Sequence, residues 1–262
     1  MNDESERHPL WNRVDALLPL VNVPGRYAGG EFNAVRKAHR GLCLRHGLVH
    51  PDLYEAGLGD DELHRLYYLL NRHPDVAAER VFLPDDDLWS ALESAGLPLF
   101  SLESRTPLAE LDVVHFCLPR PRFFVNLPAM LALGGVPPRA ADRGPGHPLV
   151  LASGPATLAP EAVADLVDLV LVGETEDAIE AFVERWRSLA RARVHRTEAV
   201  LELARSLDGA YAPASYRAGA RPPGLPDPVV AARVSDFEHA PVNPRPLVAG
   251  VRVLDDGMRI EI

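Results

Sequence analysis

The chain has little cysteine. Its 262 residues hold two, Cys43 and Cys117, and two distant thiols make neither a disulfide framework nor a metal-ligand cluster. Long hydrophobic runs are also missing: none reaches the roughly 20 apolar residues that span a bilayer. Residues 1–8 are acidic and polar, where a secretory signal would be apolar. A cytoplasmic protein with no membrane partner is expected. Positive charge is short as well, 27 Lys and Arg against 37 Asp and Glu for a net charge of −10. That balance argues against a broad phosphate-binding surface while leaving a local basic patch open, and no nucleic-acid partner is expected. The histidines, among them His46, His50, His64 and His115, fall in no H-E-x-x-H or similar spacing, so no metal site is expected. No nucleophile or acid/base constellation is visible, and no residue is assigned a catalytic role. No internal repeat is found.

What the chain does have is the balance of a globular protein, 47% hydrophobic and 24% charged residues, and an excess of proline, 25 in all. The prolines thicken toward the C-terminus in "YAPASYRAGARPPGLPDPVV" and "HAPVNPRPLV". Proline fixes φ and lacks a backbone donor, so 209–247 reads as an extended connector. Before it, patterns alternate. A short helix over 10–20 precedes a loop around Gly25, Gly29 and Gly30. Strands are expected at 41–49, 78–84, 97–103, 111–119, 148–154 and 168–173. Helices are expected at 59–73, 85–96, 126–135, 160–167, 174–193 and 197–207. In the 59–73 segment Leu63, Leu66, Tyr67 and Leu70 make one apolar face, and Asp60, Asp61 and Glu62 suit its positive N-terminal end. The resulting division is 1–40 for the N-terminal helix and Gly-rich loop, 41–208 for the main domain and 209–262 for the connector.

Strands apolar on both faces and alternating with helices imply an α/β fold, an open, mostly parallel sheet covered on both sides. Such sheets take ligands at the carboxyl ends of the strands. Four stretches fall there: "HPDLYEAG", "FCLPRP", "LASGPA" and "LVGETED". Their candidate cofactor-binding residues are Asp52, Tyr54, Gly57, Cys117, Ser153, Gly154, Gly173 and Glu174. Glycine at a strand end lets a ligand approach the backbone, and equally suits a tight turn. Glu174 could line a crevice or simply favour a helix N-terminus. Cys117 reads as a small buried hydrophobe rather than a nucleophile. In "DLYEAG", Asp52 and Gly57 stand as in a D-x-H-x-x-G loop that gives a histidine to the cobalt of a corrinoid, with Tyr54 where the histidine would be.

The order "VPGRYAGGEFNAVRK", "HPDLYEAGL", "LHRLYYLLN", "ERVFLP", "GLPLFSLESRTPLAELDVVHFCL", "LASGPATLAPEAVADLVDLVLVGETEDAIEAF" and "LDGAYAPASY" resembles the N-terminal half of radical S-adenosylmethionine (radical SAM) proteins with a cobalamin-binding-type domain. The more specific parts are the P-x-R-Y-x-G-G-E-x-N-like loop, the F-S-L-E-S run and the G-P…P-E…D…G-E-x-E run. Departures lie at "GLGDDELHRL", "RPRFFVNLP" and "VRVLDDG".

The resemblance implies a flavodoxin-like (Rossmann-like) sheet leading to a radical SAM barrel, in cis or in trans. That barrel would hold a [4Fe–4S] cluster on a C-x3-C-x2-C motif and bind S-adenosylmethionine. The closing "RIEI" is similar to the strand that leads into that motif, so the chain is expected to stop short of it. Cys43 and Cys117 do not supply the thiolates, and this polypeptide is expected not to catalyse the radical reaction alone. The resemblance also implies cobalamin at the strand ends, bound without a histidine ligand because a phenol with pKa near ~10 is a poor one. The alternative is an interaction domain that keeps the fold and binds no corrinoid.

Overall fold

The structure, a computed structural model, describes residues 8–192, 194–217, 221–236, 238 and 242–251. The "RIEI" strand and most of "VRVLDDG" lie outside the described residues. Helices α1 (Trp11–Asp15) and α2 (Gly25–Ala28) open the chain. Then come β1 (Leu44–His50), α3 (Tyr54–Gly57), α4 (Asp61–Asn71), β2 (Val76–Phe82) and α5 (Asp86–Ala95). After them follow β3 (Val113–Cys117), α6 (Leu127–Leu133), β4 (Leu149–Ser153) and β5 (Leu169–Leu171). The last elements are α7 (Glu176–Ala192), α8 (Arg196–Ser206), β6 (Ala210–Tyr211) and α9 (Pro213–Arg217).

The strands form one six-stranded sheet in the order β2-β1-β3-β4-β5-β6. All neighbours are parallel except β5 and β6. This is an α/β fold of the flavodoxin-like kind, with its switch in strand order between β1 and β3. Every residue of β2, β3, β4 and β5 is buried, as a sheet covered on both faces requires. On one face Leu44, Leu48, Val113, Leu149 and Leu151 pack with Leu63, Leu66 and Leu70 of α4 and Ile179 and Phe182 of α7. On the other, Val49, Val81, Val114, Val150 and Ala152 pack with Leu127, Met130 and Leu131 of α6. Helix α4 begins where its sequence suggests: Asp60 caps it, accepting from Leu63 N at 2.8 Å.

Three segments differ from the sequence reading. Residues 97–103 are not a strand; they are a loop with an isolated bridge, Phe100 to Pro107, and a backbone bond from Leu102 N to Arg80 O. Their side chains turn back on β2: the Ser101 hydroxyl donates to Glu79 at 2.5 Å and Glu103 accepts from Arg80 Nε at 2.6 Å. Two adjacent buried charges on an edge strand need partners, and the loop supplies them. Residues 160–167 make only a 3-10 turn, Pro160–Val163; Leu166 N then closes back on Val163 O and Asp168 is drawn to Val150 N. In the segment read as connector, Ala210–Tyr211 joins the sheet antiparallel to β5. Pro213 begins α9, where its missing N–H is harmless. Among the described residues, no helix is long and apolar enough to cross a membrane.

Candidate functional site at the carboxyl ends of the strands

The carboxyl ends of β1, β3, β4 and β5 form a crest, and the N-terminus of α4 leans over it. Cys117 and Ser153 are register partners on β3 and β4, and both are fully buried. Gly154 follows with φ +104°, a conformation an L side chain rarely adopts. Glu62, in the first turn of α4, reaches into this corner. The Ser153 hydroxyl donates to Glu62 Oε1 at 2.6 Å. A Cβ placed on Gly154 would lie 2.6 Å from Glu62 Oε2 and 2.8 Å from Leu118 O. The space above Gly154 is therefore taken by the protein's own carboxylate.

Behind Ser153 runs a buried chain. Its Oγ lies 2.8 Å from His115 Nε2, and His115 Nδ1 lies 3.0 Å from His46 Nε2. Burial pushes the His115 pKa down to about 3 and that of His46 well below its ordinary value, so both are neutral at neutral pH. Burial pushes Glu62 up to about 7 and raises the Cys117 thiol, which makes Cys117 a poor nucleophile.

The end of β5 is covered by a different part of the chain. Gly173 has φ +102°, and a Cβ there would meet Ala232 O at 2.3 Å and Ala232 N at 2.6 Å. Ala232 N donates to Val172 O at 2.8 Å and Glu174 N donates to Ala232 O at 3.0 Å. The Glu174 and Asp177 carboxylates accept from Val234 N and Ser235 N. The proline-rich segment is thus a strap laid across the β5 end.

At the switch point the loops after β1 and β3 are tied together. Asn126 Nδ2 donates to Pro51 O at 2.9 Å, and Arg122 lies 3.8 Å from Asp52. Asp52 also accepts from Leu53 N at 2.8 Å. Tyr54 is 1% exposed, and its ring packs edge-on to Phe82, with centroids 5.2 Å apart. Its hydroxyl donates to Glu31 Oε1 at 2.9 Å, and burial beside that carboxylate raises its pKa. Gly57 is set by packing, since a Cβ there would lie 2.5 Å from the Phe82 ring.

Glu31 belongs to a second buried cluster, at the β2 edge. Arg80 Nη2 donates to Glu31 Oε2 and Arg80 Nε to Glu103 Oε1, both at 2.6 Å. The Glu79 carboxylate accepts from Ser101 and Ser104 and faces His39 at 3.3 Å. The P-x-R-Y-x-G-G-E and F-S-L-E-S runs therefore meet around Glu79 and Arg80.

Over residues 62–213 the sequence matches the family described as "Radical SAM proteins, N-terminal", which is more than half of the chain. The chain belongs to this radical SAM N-terminal family. No curated protein is similar enough to add a relative to the comparison. The family match takes in Glu62, His115, Cys117, Ser153, Gly154, Gly173 and Glu174 of this radical SAM N-terminal domain. It leaves out the loop with Asp52, Tyr54 and Gly57.

Of the residues expected at the strand ends, the structure brings Cys117, Ser153 and Gly154 into one corner. Gly173 and Glu174 sit under the strap, and Tyr54 joins the Arg80 cluster. Sequence reasoning missed Glu62, taken only as a helix-dipole acid, and His46 and His115, taken as scattered. The available signal was one polar residue in an otherwise apolar strand, His115 in VVHFC of β3 and Ser153 in LVLAS of β4, with His46 inside β1. A cleft of about 510 Å³ lies at the opposite end of the sheet, lined by Arg45, Asp112, His147, Trp186 and Arg196 among others. Its arginines already face Asp112 at 3.5 Å and Asp168.

Proposed function

We propose that this radical SAM N-terminal domain is a docking domain, that it takes no corrinoid, and that it serves a radical SAM barrel in cis or in trans. The carrying observation is that the crest is filled from within, by Glu62 above Gly154 and by the Ala232 backbone above Gly173. A planar cofactor laid on these glycines would have to displace both. Tyr54 adds no ligand, because its hydroxyl is committed to Glu31. The residues present do not fit cobalamin.

Exposed apolar side chains support docking. Val125 after β3, Leu158 after β4 and Val230 on the strap are each at least 70% exposed, and exposed apolar side chains in the segments that follow the strand ends are suited to burial against a protein partner. The [4Fe–4S] cluster and S-adenosylmethionine belong to the barrel in this reading. Cluster binding needs several thiolates, and Cys43 and Cys117 lie at opposite ends of the sheet. Hydroxocobalamin mixed with the full chain is expected to keep the visible spectrum of the free corrinoid and to elute apart from the protein on gel filtration. A saturable spectral shift with stoichiometric co-elution would overturn the reading.

A further inference from the structure

The four-residue chain behind the crest has a direction that its hydrogen bonds fix. An ionised Glu62 only accepts, so Ser153 must donate to Oε1 (2.6 Å). Ser153 has one proton, so its oxygen accepts from His115, which must carry its proton on Nε2 (2.8 Å). His115 is neutral, so its Nδ1 accepts from His46 Nε2–H (3.0 Å). His46 Nδ1 is then a bare acceptor, and this atom is buried without a partner. A buried unpaired acceptor is tolerated better than a buried unpaired N–H. Reversing the chain would put an N–H at that position. The His46 environment thus selects the direction, and the ring of Phe182 packs edge-on to it, with centroids 5.8 Å apart.

We propose that His46, His115 and Ser153 are positioning residues that hold Glu62 at the crest as a proton-exchanging group, its second oxygen, Oε2, filling the space above Gly154. That oxygen is buried and has no hydrogen-bond partner. It is the atom on which Glu62 takes a proton from water or from a docked partner, and to which it returns as carboxylate when the proton leaves. No other bond changes. The groups that face Glu62 come from every element around it: Asp60 and Arg65 from α4 and its cap, Cys117 from β3, Ser153 from β4 and Glu176 from α7, itself paired with Arg65. The acids and the buried setting favour the protonated form; Ser153 and Arg65 favour the carboxylate. The balance places the exchange near neutral pH, where a proton donor and acceptor is most effective. This inference is independent of the corrinoid reading.

Nuclear magnetic resonance on the full chain tests it. The side-chain carboxyl carbon of Glu62 is followed from pH 4 to 9, and the imidazole nitrogens of His46 and His115 are followed over the same range. Glu62 is expected to titrate near 7, with both histidines remaining Nε2–H tautomers throughout. Ser153→Ala removes the hydroxyl that donates to Oε1 and is expected to raise the Glu62 midpoint by about one unit or more. His115→Gln, which can still donate to Ser153, is expected to keep the midpoint closer to wild type than Ser153→Ala does. A wild-type midpoint near that of a free glutamate, or an Nδ1–H tautomer at either histidine, overturns the proposal. The wild-type spectra decide it even where a variant does not fold.

Discussion

Arg80→Met is expected to destabilise the protein by about 3–5 kcal/mol, the cost of leaving buried charges without their partner. Arg80 is fully buried on β2 and its guanidinium bridges Glu31 and Glu103, both at most 7% exposed. Methionine fills similar volume but leaves two buried carboxylates without their cation. In the native protein, burial works to raise the Glu31 pKa, but the Arg80 charge and the hydrogen bonds from Arg80, Tyr54 and the backbone together outweigh it and hold it below the usual value. At Glu103 burial prevails and the pKa is raised. Without Arg80 both would rise. A folded carboxylic acid with a raised pKa binds more protons than its unfolded form, so stability falls as pH rises through that interval. The loss in Arg80→Met should therefore be larger at pH 8 than at pH 5.5. Urea unfolding at the two pH values measures this. A loss below about 1 kcal/mol, the value of an ordinary exposed pair, equal at both pH values, would show that the cluster carries no buried charge.

Gly173→Val is expected to lift the strap from the end of β5 and to cost about 2–4 kcal/mol, combining a disallowed φ with lost backbone hydrogen bonds. The atoms a new Cβ would meet are backbone atoms of Ala232, at 2.3 and 2.6 Å, so no side-chain rotation relieves the clash. Gly209, with φ +70°, is pressed against the same residue: a Cβ there would lie 3.0 Å from Ala232 N. The Ala232 and Glu174 amides, which donate across the strap and the β5 end, should lose protection from hydrogen exchange in the variant. Amides of β1 and β3 should keep theirs. If the Ala232 amide stays as protected as in wild type, the strap is not held by this contact.

The comparison with the sequence reading turns on the same residues. The alternation of apolar strands and amphipathic helices was legible because each is a local period. Leu63, Leu66 and Leu70 face the core, and Asp60 caps α4 as its position suggests. The parallel sheet follows from strands without a polar face. The segment 97–103 misled because Leu97, Leu99, Phe100, Ser101 and Glu103 have the composition of a half-buried strand. The partners that bend it, Glu79 and Arg80, lie on β2, some 20 residues earlier. Gly154 and Gly173 were legible as places where the backbone is approached closely, but the sequence could not say by what.

By itself, the sequence determined the α/β class, the order of most elements and the resemblance to radical SAM N-terminal regions. Only the tertiary structure decided what occupies the strand ends. Glu62 stands 91 residues from Ser153, and His46 stands 69 residues from His115. Such contacts depend on strand order and register, which are set by packing of the whole sheet and carry no local period. For the same reason Tyr54, placed by its spacing at a cofactor loop, came to rest against Glu31, where burial of its ring and a partner for its hydroxyl could be met together.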